Sequence, residues 1–306
     1  MNRYHFFLFM LLSMLVNTIY SQQTPVFSEY NFNPFLINAA YAGAYENAEF
    51  TLANNGFINQ FEGSPQTLSA TGHAAFNEGK MGLGGGFISD KLGVTTTTQL
   101  FAAYSYKIFF DFQSNRPQWQ LYNPGVLSFG ITGGFIQYEN NLLNLGIQGD
   151  PNFAQNLQTT VPAIGVGFMF NKGPLFAGIS TPNILGDQFA SNDELNITTP
   201  YYGYLGYYFF LNRFQDIVFK PNVLVKYESG APWQADFNMS VSLIDKIEVG
   251  AGYRTNSSIN FLAGLYLFEN FRLVYSYNQS SQDNPLGNTH GIILSIRLGN
   301  GFSLRP

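Results

Sequence analysis

Apolar and polar residues alternate with period two, in segments about ten residues long, through most of this chain. In Ala235–Leu243 one face carries Ala235, Phe237, Met239, Val241 and Leu243, and the other Asp236, Asn238, Ser240 and Ser242. Ile247, Val249, Ala251 and Tyr253 oppose Lys246, Glu248, Gly250, Gly252 and Arg254. Phe271, Leu273, Tyr275 and Tyr277 oppose Arg272, Val274, Ser276 and Asn278, and Ile292, Leu294, Ile296 and Leu298 oppose Gly291, Ile293, Ser295 and Arg297. A strand with one dry and one wet face gives this pattern.

A soluble sandwich and a membrane barrel both use such strands, and composition decides between them. Only 11% of the 306 residues are charged, against roughly a quarter in soluble domains. Aromatics reach 17%, with 31 Phe, 19 Tyr and 31 Gly. The apolar faces place Tyr104, Tyr106, Tyr207, Tyr253, Tyr275 and Tyr277 near strand ends, as an interfacial girdle does. In lipid every backbone polar group is paired within the protein, so a sheet there closes on itself. The expectation is an all-β fold, a transmembrane antiparallel β-barrel of about 14 strands: Phe50–Gly56, Gln66–Phe76, Lys80–Asp90, Thr95–Ile108, Gly125–Tyr138, Pro162–Phe170, Leu175–Ser180, Tyr201–Leu211, Ile217–Glu228, Ala235–Leu243, Lys246–Arg254, Ser258–Phe268, Phe271–Gln279 and Thr289–Leu298. Short turns at Leu243–Lys246 and Glu269–Asn270 suit the periplasmic side. The long segments Phe109–Asn123, Asn140–Thr160 and Pro182–Thr199 suit the outer side.

The N-terminus has the layout of a secretory signal peptide: Arg3, then the apolar run Phe6–Val16, then small and polar residues to Ser21. The expected organisation is a leader over 1–21, a docking or plug segment over 22–47 and a barrel over 48–306, placed in the outer membrane with lipid around it.

Catalytic chemistry finds little material. There is no cysteine, hence no thiolate metal site and no Cys nucleophile. Beyond the leader only His73 and His290 remain. Ser69 and His73 share a strand face about 13 Å apart, too far for a hydroxyl–imidazole pair. Gly82–Gly86 lacks the spacing and the following helix of a nucleotide loop. The acidic pieces Gly149-Asp150 and Asn192-Asp193-Glu194 are not a spaced calcium loop. A sequence pI of about 5.1 without a basic stripe argues against a nucleic-acid partner. No enzyme, cofactor or metal is expected.

Two residue sets stand out. Lys220, Lys226, Glu228, Asp236, Lys246, Glu248, Arg254, Arg272 and Arg297, with Asn222, fall on inward faces. They form either a charge network that stiffens the interior, or a polar path for solutes or docking surface for a partner segment. The segment Thr24–Tyr45 carries Phe27, Tyr30, Phe32, Phe35, Tyr41 and Tyr45 with one acid, no base and no alternation. Free in water it would expose many aromatics, so it docks into the barrel mouth or against a partner. Phe27, Tyr30, Phe32, Asn33, Pro34, Phe35, Asn38, Tyr41 and Gly43 are its candidate partner-binding residues.

The run from Phe27 to Gly43 (FSEYNFNPFLINAAYAG) resembles the opening signature of the PorP/SprF family, outer-membrane proteins of the Bacteroidetes type IX secretion system. The likeness continues through Gly63–Thr67, Gly82–Gly84, Asp90–Gly93, Gly178–Pro182, Tyr253-Arg254, Ser276–Asn278 and Asn288–His290. Two departures stand beside it: Gly291 where the family usually has a carboxylate, and an end at Ser303–Pro306 rather than on an aromatic. The resemblance implies a non-enzymatic barrel that supports secretion and surface attachment of a cargo such as an adhesin with a C-terminal sorting domain. It also implies gliding-related roles in some members, with periplasmic lipoproteins and secretion components as neighbours. A diffusion porin or specific channel is the alternative.

Overall fold

The computed structural model describes residues 29–58, 63–111, 124–147, 150, 155–186, 199–212, 216–229, 231–255, 258–280 and 287–302. The expected leader over 1–21, Phe27, Gly149, Asn192–Glu194 and most of the long loops lie outside the described residues. The strands are β1 Glu49–Asn55, β2 Gln66–Phe76, β3 Met81–Leu92, β4 Thr95–Phe110, β5 Gly125–Asn140, β6 Leu157–Lys172, β7 Leu175–Thr181 and β8 Pro200–Tyr207. There follow β9 Phe209–Phe210, β10 Ile217–Glu228, β11 Gln234–Leu243, β12 Ile247–Arg254, β13 Ser258–Leu267, β14 Phe271–Ser280 and β15 Thr289–Arg297.

Each long strand pairs antiparallel with its neighbours in sequence, and β15 returns to β1 with Glu49 opposite Arg297. The ring of fourteen long strands is closed, with no unpaired strand left between β1 and β15. The two-residue β9 is a fifteenth piece. It pairs with β10 in the register that β8 already set (Gly206 opposite Asn222, Phe209 opposite Phe219), so the expected strand Tyr201–Leu211 is interrupted at Tyr208.

The alternation sorts the wall into an oily outside and a polar inside. Phe237, Met239, Val249, Tyr253, Phe261, Tyr275 and Leu294 are 42–56% exposed on the outer face. Asp236, Asn238, Glu248, Arg254, Arg272, Ser295 and Arg297 are buried within. The long strands show where the lipid stops. Across β3 to β6 the outward row Phe87–Leu100–Phe135–Pro162 is apolar, and the next row, Ser89–Thr98–Gln137–Thr160, is polar. From that apolar row to the other end β4, β5 and β6 each keep eleven residues, close to the apolar band of a barrel about 25 Å tall, and β3 keeps seven before its turn.

Strand parity corrects one sequence expectation. β4 ends at Phe110 on the same end of the barrel as the β2–β3, β11–β12 and β13–β14 turns, so segment 111–124 belongs with the short turns. Length alone misassigned it; antiparallel pairing leaves no choice of end. The chain termini of the barrel, at Glu49 and Arg297, lie at this end too. β6 also starts at Leu157 rather than Pro162. Its first residues, Gln158 to Thr160, are polar on both faces, which erases the alternation that marks a strand.

Three of the short hairpin turns place two successive non-glycine residues at positive φ: Asn77–Glu78, Ile244–Asp245 and Phe268–Glu269. This is the handedness a tight hairpin needs. Asn suits it; a β-branched residue does not. Ile244 (φ +55) is also exposed, so Ile244→Asn is expected to stabilise the barrel by about 1 kcal/mol. Urea unfolding in lipid vesicles checks this.

Candidate functional site: the N-terminal strip inside the barrel

Residues 29–45 run through the barrel interior. Three 3₁₀ turns, Glu29–Asn31, Pro34–Leu36 and Ala39–Tyr41, replace strand structure there. Pro34 begins the second with its fixed φ and no N–H to satisfy. Asn38 caps the third, its side chain accepting from the Ala40 N–H at 2.8 Å. Such compact turns satisfy their own backbone in a space that offers no sheet edge. Tyr30, Phe35, Leu36, Ile37, Ala39 and Ala42 form one apolar cluster with Ile88, Phe101, Ala103, Tyr202 and Leu224 of the wall.

Side chains from all round the ring hold the strip. Asn33 donates to Thr71 Oγ1 of β2 at 2.7 Å. The Gly43 N–H donates to His73 Nδ1 of the same strand at 3.3 Å. From β4, Ser105 donates to the Ala42 carbonyl at 2.7 Å and Lys107 to that of Gly43. Asn38 donates to the Phe168 carbonyl of β6 at 3.0 Å and to the Tyr204 hydroxyl of β8 at 3.3 Å. Asn238 of β11 donates to the Tyr30 hydroxyl, and Arg272 of β14 to the Phe32 carbonyl at 2.6 Å. Burial, reinforced for Tyr30 by the Asp236 carboxylate, holds the Tyr30 and Tyr41 phenols well above the ordinary tyrosine range. Both stay neutral.

The wall is hollowed to receive the strip. Gly82, Gly84, Gly130 and Gly167 face inward, and a Cβ on any of them meets the strip: Ala42 at Gly82, Phe35 at Gly84, the Ala40 backbone at Gly130 and the Asn38 side chain at Gly167. Asn38→Leu keeps the branched shape in a somewhat larger side chain but strands the Ala40 N–H and loses the bond to Phe168. A cost of about 1–3 kcal/mol is expected, seen as faster protease cleavage within the strip.

The inward charges are paired. Arg254 grips Asp236 through two nitrogens at 2.9 and 2.7 Å, as facing residues of β12 and β11. Lys226 meets Glu228 at 3.1 Å. Lys220 meets Glu248 at 2.9 Å, and Glu248 also accepts from Ser240 (2.6 Å) and Tyr266 (2.5 Å). Glu49 takes Arg297 at 2.7 Å and Arg272 at 3.2 Å, drawing β1, β14 and β15 together where the ring returns to its start. The Arg297 guanidinium lies 3.4 Å over the Tyr45 ring and 4.4 Å over Phe302.

Of the residues the sequence singled out, Tyr30, Phe32, Asn33, Phe35, Asn38 and Gly43 are buried against the wall, and Pro34 and Tyr41 are partly buried. As a set they are engaged inside the barrel rather than displayed to a partner. Lys246 is not with the inward charges: it sits exposed in the β11–β12 turn, where no wall remains for it to face. Glu49, Lys107 and Phe302 escaped the sequence reading, which notes Tyr45 only as one aromatic of the segment and His73 only as a catalytic candidate. Glu49 precedes the first apolar strand residue, so its inward position carries no signal until β15 is paired beside it. Ser69 is buried, and His73 packs edge-on against Phe35 and Tyr41. His290 meets the Tyr275 hydroxyl at 2.6 Å on the outer face. Among the described residues no group of three His, Asp or Glu side chains could hold a metal ion.

Below the strip, toward the short-turn end, a cavity of about 480 Å³ remains. Tyr208, Tyr266, Lys220, Glu248, Arg272 and Phe302 contribute to its lining.

A profile of the family described as type IX secretion system membrane protein PorP/SprF matches residues 19–296. A comparison with curated proteins finds no match. Among solved structures the chain is similar to the Acinetobacter baumannii outer membrane protein Omp33 (TM-score 0.47, 7% identity, covering 83% of this chain and 98% of that one). It is also similar to the Ralstonia pickettii toluene transporter TbuX (TM-score 0.45, 8% identity, 87% and 93%).

Proposed function

We propose that this chain, which belongs to the PorP/SprF family of type IX secretion system membrane proteins, works as a protein-holding barrel of the outer membrane rather than as a solute channel or an enzyme. It supports export of a secreted protein, such as an adhesin with a C-terminal sorting domain, and its attachment at the surface. The observation that carries this reading is the occupied interior: residues 29–45 cross it, bound to β2, β4, β6, β8, β11 and β14. A lumen spent on the chain's own strip and on paired charges leaves the loops and rims for partners. Secretion components and periplasmic lipoproteins meet the short-turn end in this account, and the cargo meets the long-loop end. Gliding enters only where the cargo is a motility adhesin.

Tagged full-length protein, purified in mild detergent from its own outer membrane, is expected to bring down the C-terminal domain of a secreted protein. Replacing residues 187–198 by a short Gly-Ser linker is expected to abolish that capture while the barrel still folds. A protein that emerges alone from native membranes and conducts ions steadily would overturn the proposal.

A further inference from the structure

The four strands β3 to β6 outrun the lipid. Above the apolar row Phe87–Leu100–Phe135–Pro162 stand two outward rows, Ser89–Thr98–Gln137–Thr160 and Lys91–Thr96–Glu139–Gln158. They form a ledge four strands wide, continuous with the lipid-facing wall and reaching about 13 Å along the strands past the last apolar row. Six of its eight side chains are uncharged hydroxyls or carboxamides, and none is aromatic or Arg.

We propose that this ledge binds the saccharide of a glycolipid in the leaflet beside it. A hydroxyl or carboxamide both donates and accepts, which suits a neighbour made of sugar hydroxyls. Protein docking sites of high affinity draw on Trp, Tyr and Arg anchors, which the ledge lacks. Phosphate recognition calls for clustered Arg or Lys, and Lys91 stands alone in these rows. The ledge lies at the end opposite the β2–β3, β6–β7, β11–β12 and β13–β14 turns and the barrel termini, and it shares its end with the long connections 141–156 and 182–199, which marks the outer end of a bacterial barrel. There its outward face meets the sugars of whichever glycolipid packs its acyl chains on Leu100 and Phe135 just below. The proposal goes beyond secretion and stands without it.

The test compares wild type with T96V/T98V/T160V, in which valine keeps the shape and strand preference of threonine but removes three hydroxyls. Both proteins are purified in mild detergent from the native outer membrane, and bound glycolipid per barrel is measured by mass spectrometry. Retention is expected to fall at least about three-fold in the valine variant. A control variant at the other end, K80A/K172A, is expected to retain glycolipid as wild type does. The same glycolipid stripped of acyl chains, added to the wild-type protein, separates the sources: displacement means the sugar alone suffices, and no displacement means the ledge needs the lipid-borne form. Equal retention by wild type and valine variant would overturn the proposal. So would an equal loss of sugar-free phospholipid, or loss of a co-purifying protein with glycolipid unchanged.

Discussion

Deletion of Thr24–Tyr45, with residues 1–23 and the strands intact, turns a silent barrel into one that conducts ions steadily in planar bilayers. The strip supplies the apolar cluster against Ile88, Phe101, Tyr202 and Leu224, and without it that space fills with water. The inward glycines Gly82, Gly84, Gly130 and Gly167 then become concavities in a continuous bore. Wild-type protein under the same conditions is expected to show only brief, irregular events. A milder lesion gives an intermediate result. In Gly130→Leu the new side chain starts against the Ala40 backbone, so the strip must move although all its residues remain. Wild-type conductance equal to that of the deletion would show that the strip does not close the bore.

Glu49→Ala produces the largest loss of stability expected from one side chain. Glu49 is the shared partner of Arg272 and Arg297, and all three are buried, at 4%, 7% and 5% exposure. Removing one member of a buried charge pair costs about 3–5 kcal/mol, because the remaining charge is left uncompensated. Here two guanidiniums are left facing each other where β15 meets β1. Arg297 keeps its stacking on Tyr45 and Phe302, and Arg272 its bond to the Phe32 carbonyl, so the barrel loosens at this junction rather than failing to form. The readout is the temperature at which the compact, SDS-resistant form is lost. The triple variant E49L/R272M/R297M discards the charges together and is expected to recover most of the loss. A Glu49→Ala barrel that melts with wild type would mean that the ion triad adds nothing to closure.

How legible was this molecule in its residues? The strands were plain, because one face of Ala235–Leu243 or Phe271–Gln279 must suit lipid and the other the interior. The strip was visible only as an anomaly, aromatic and without period. Its place depends on glycines about forty to a hundred and thirty residues away, whose inward parity means nothing until strands are paired. Gly82–Gly86 reads only as glycines in the expected strand Lys80–Asp90 that fail as a nucleotide loop, yet Gly82 and Gly84 are the floor under Ala42 and Phe35. Charge pairing was half legible: Asp236 and Arg254 sit on adjacent strands and meet, whereas Glu49 had to await the return of β15. Loop length misled at 111–124 because the end of the barrel follows from strand count, not from how many residues a connection contains.

A chain without cysteine offers the most direct test of the central claim. Asn38→Cys and Gly167→Cys place two thiols where the Asn38 side chain now lies against the inward face of β6. In intact cells given a mild oxidant, the account predicts an intramolecular disulfide, detected as linked strip and β6 peptides by mass spectrometry. Each single variant should resist a membrane-impermeant maleimide. Free, maleimide-reactive thiols at both positions in the double variant would contradict it, because the strip would then lie outside the barrel.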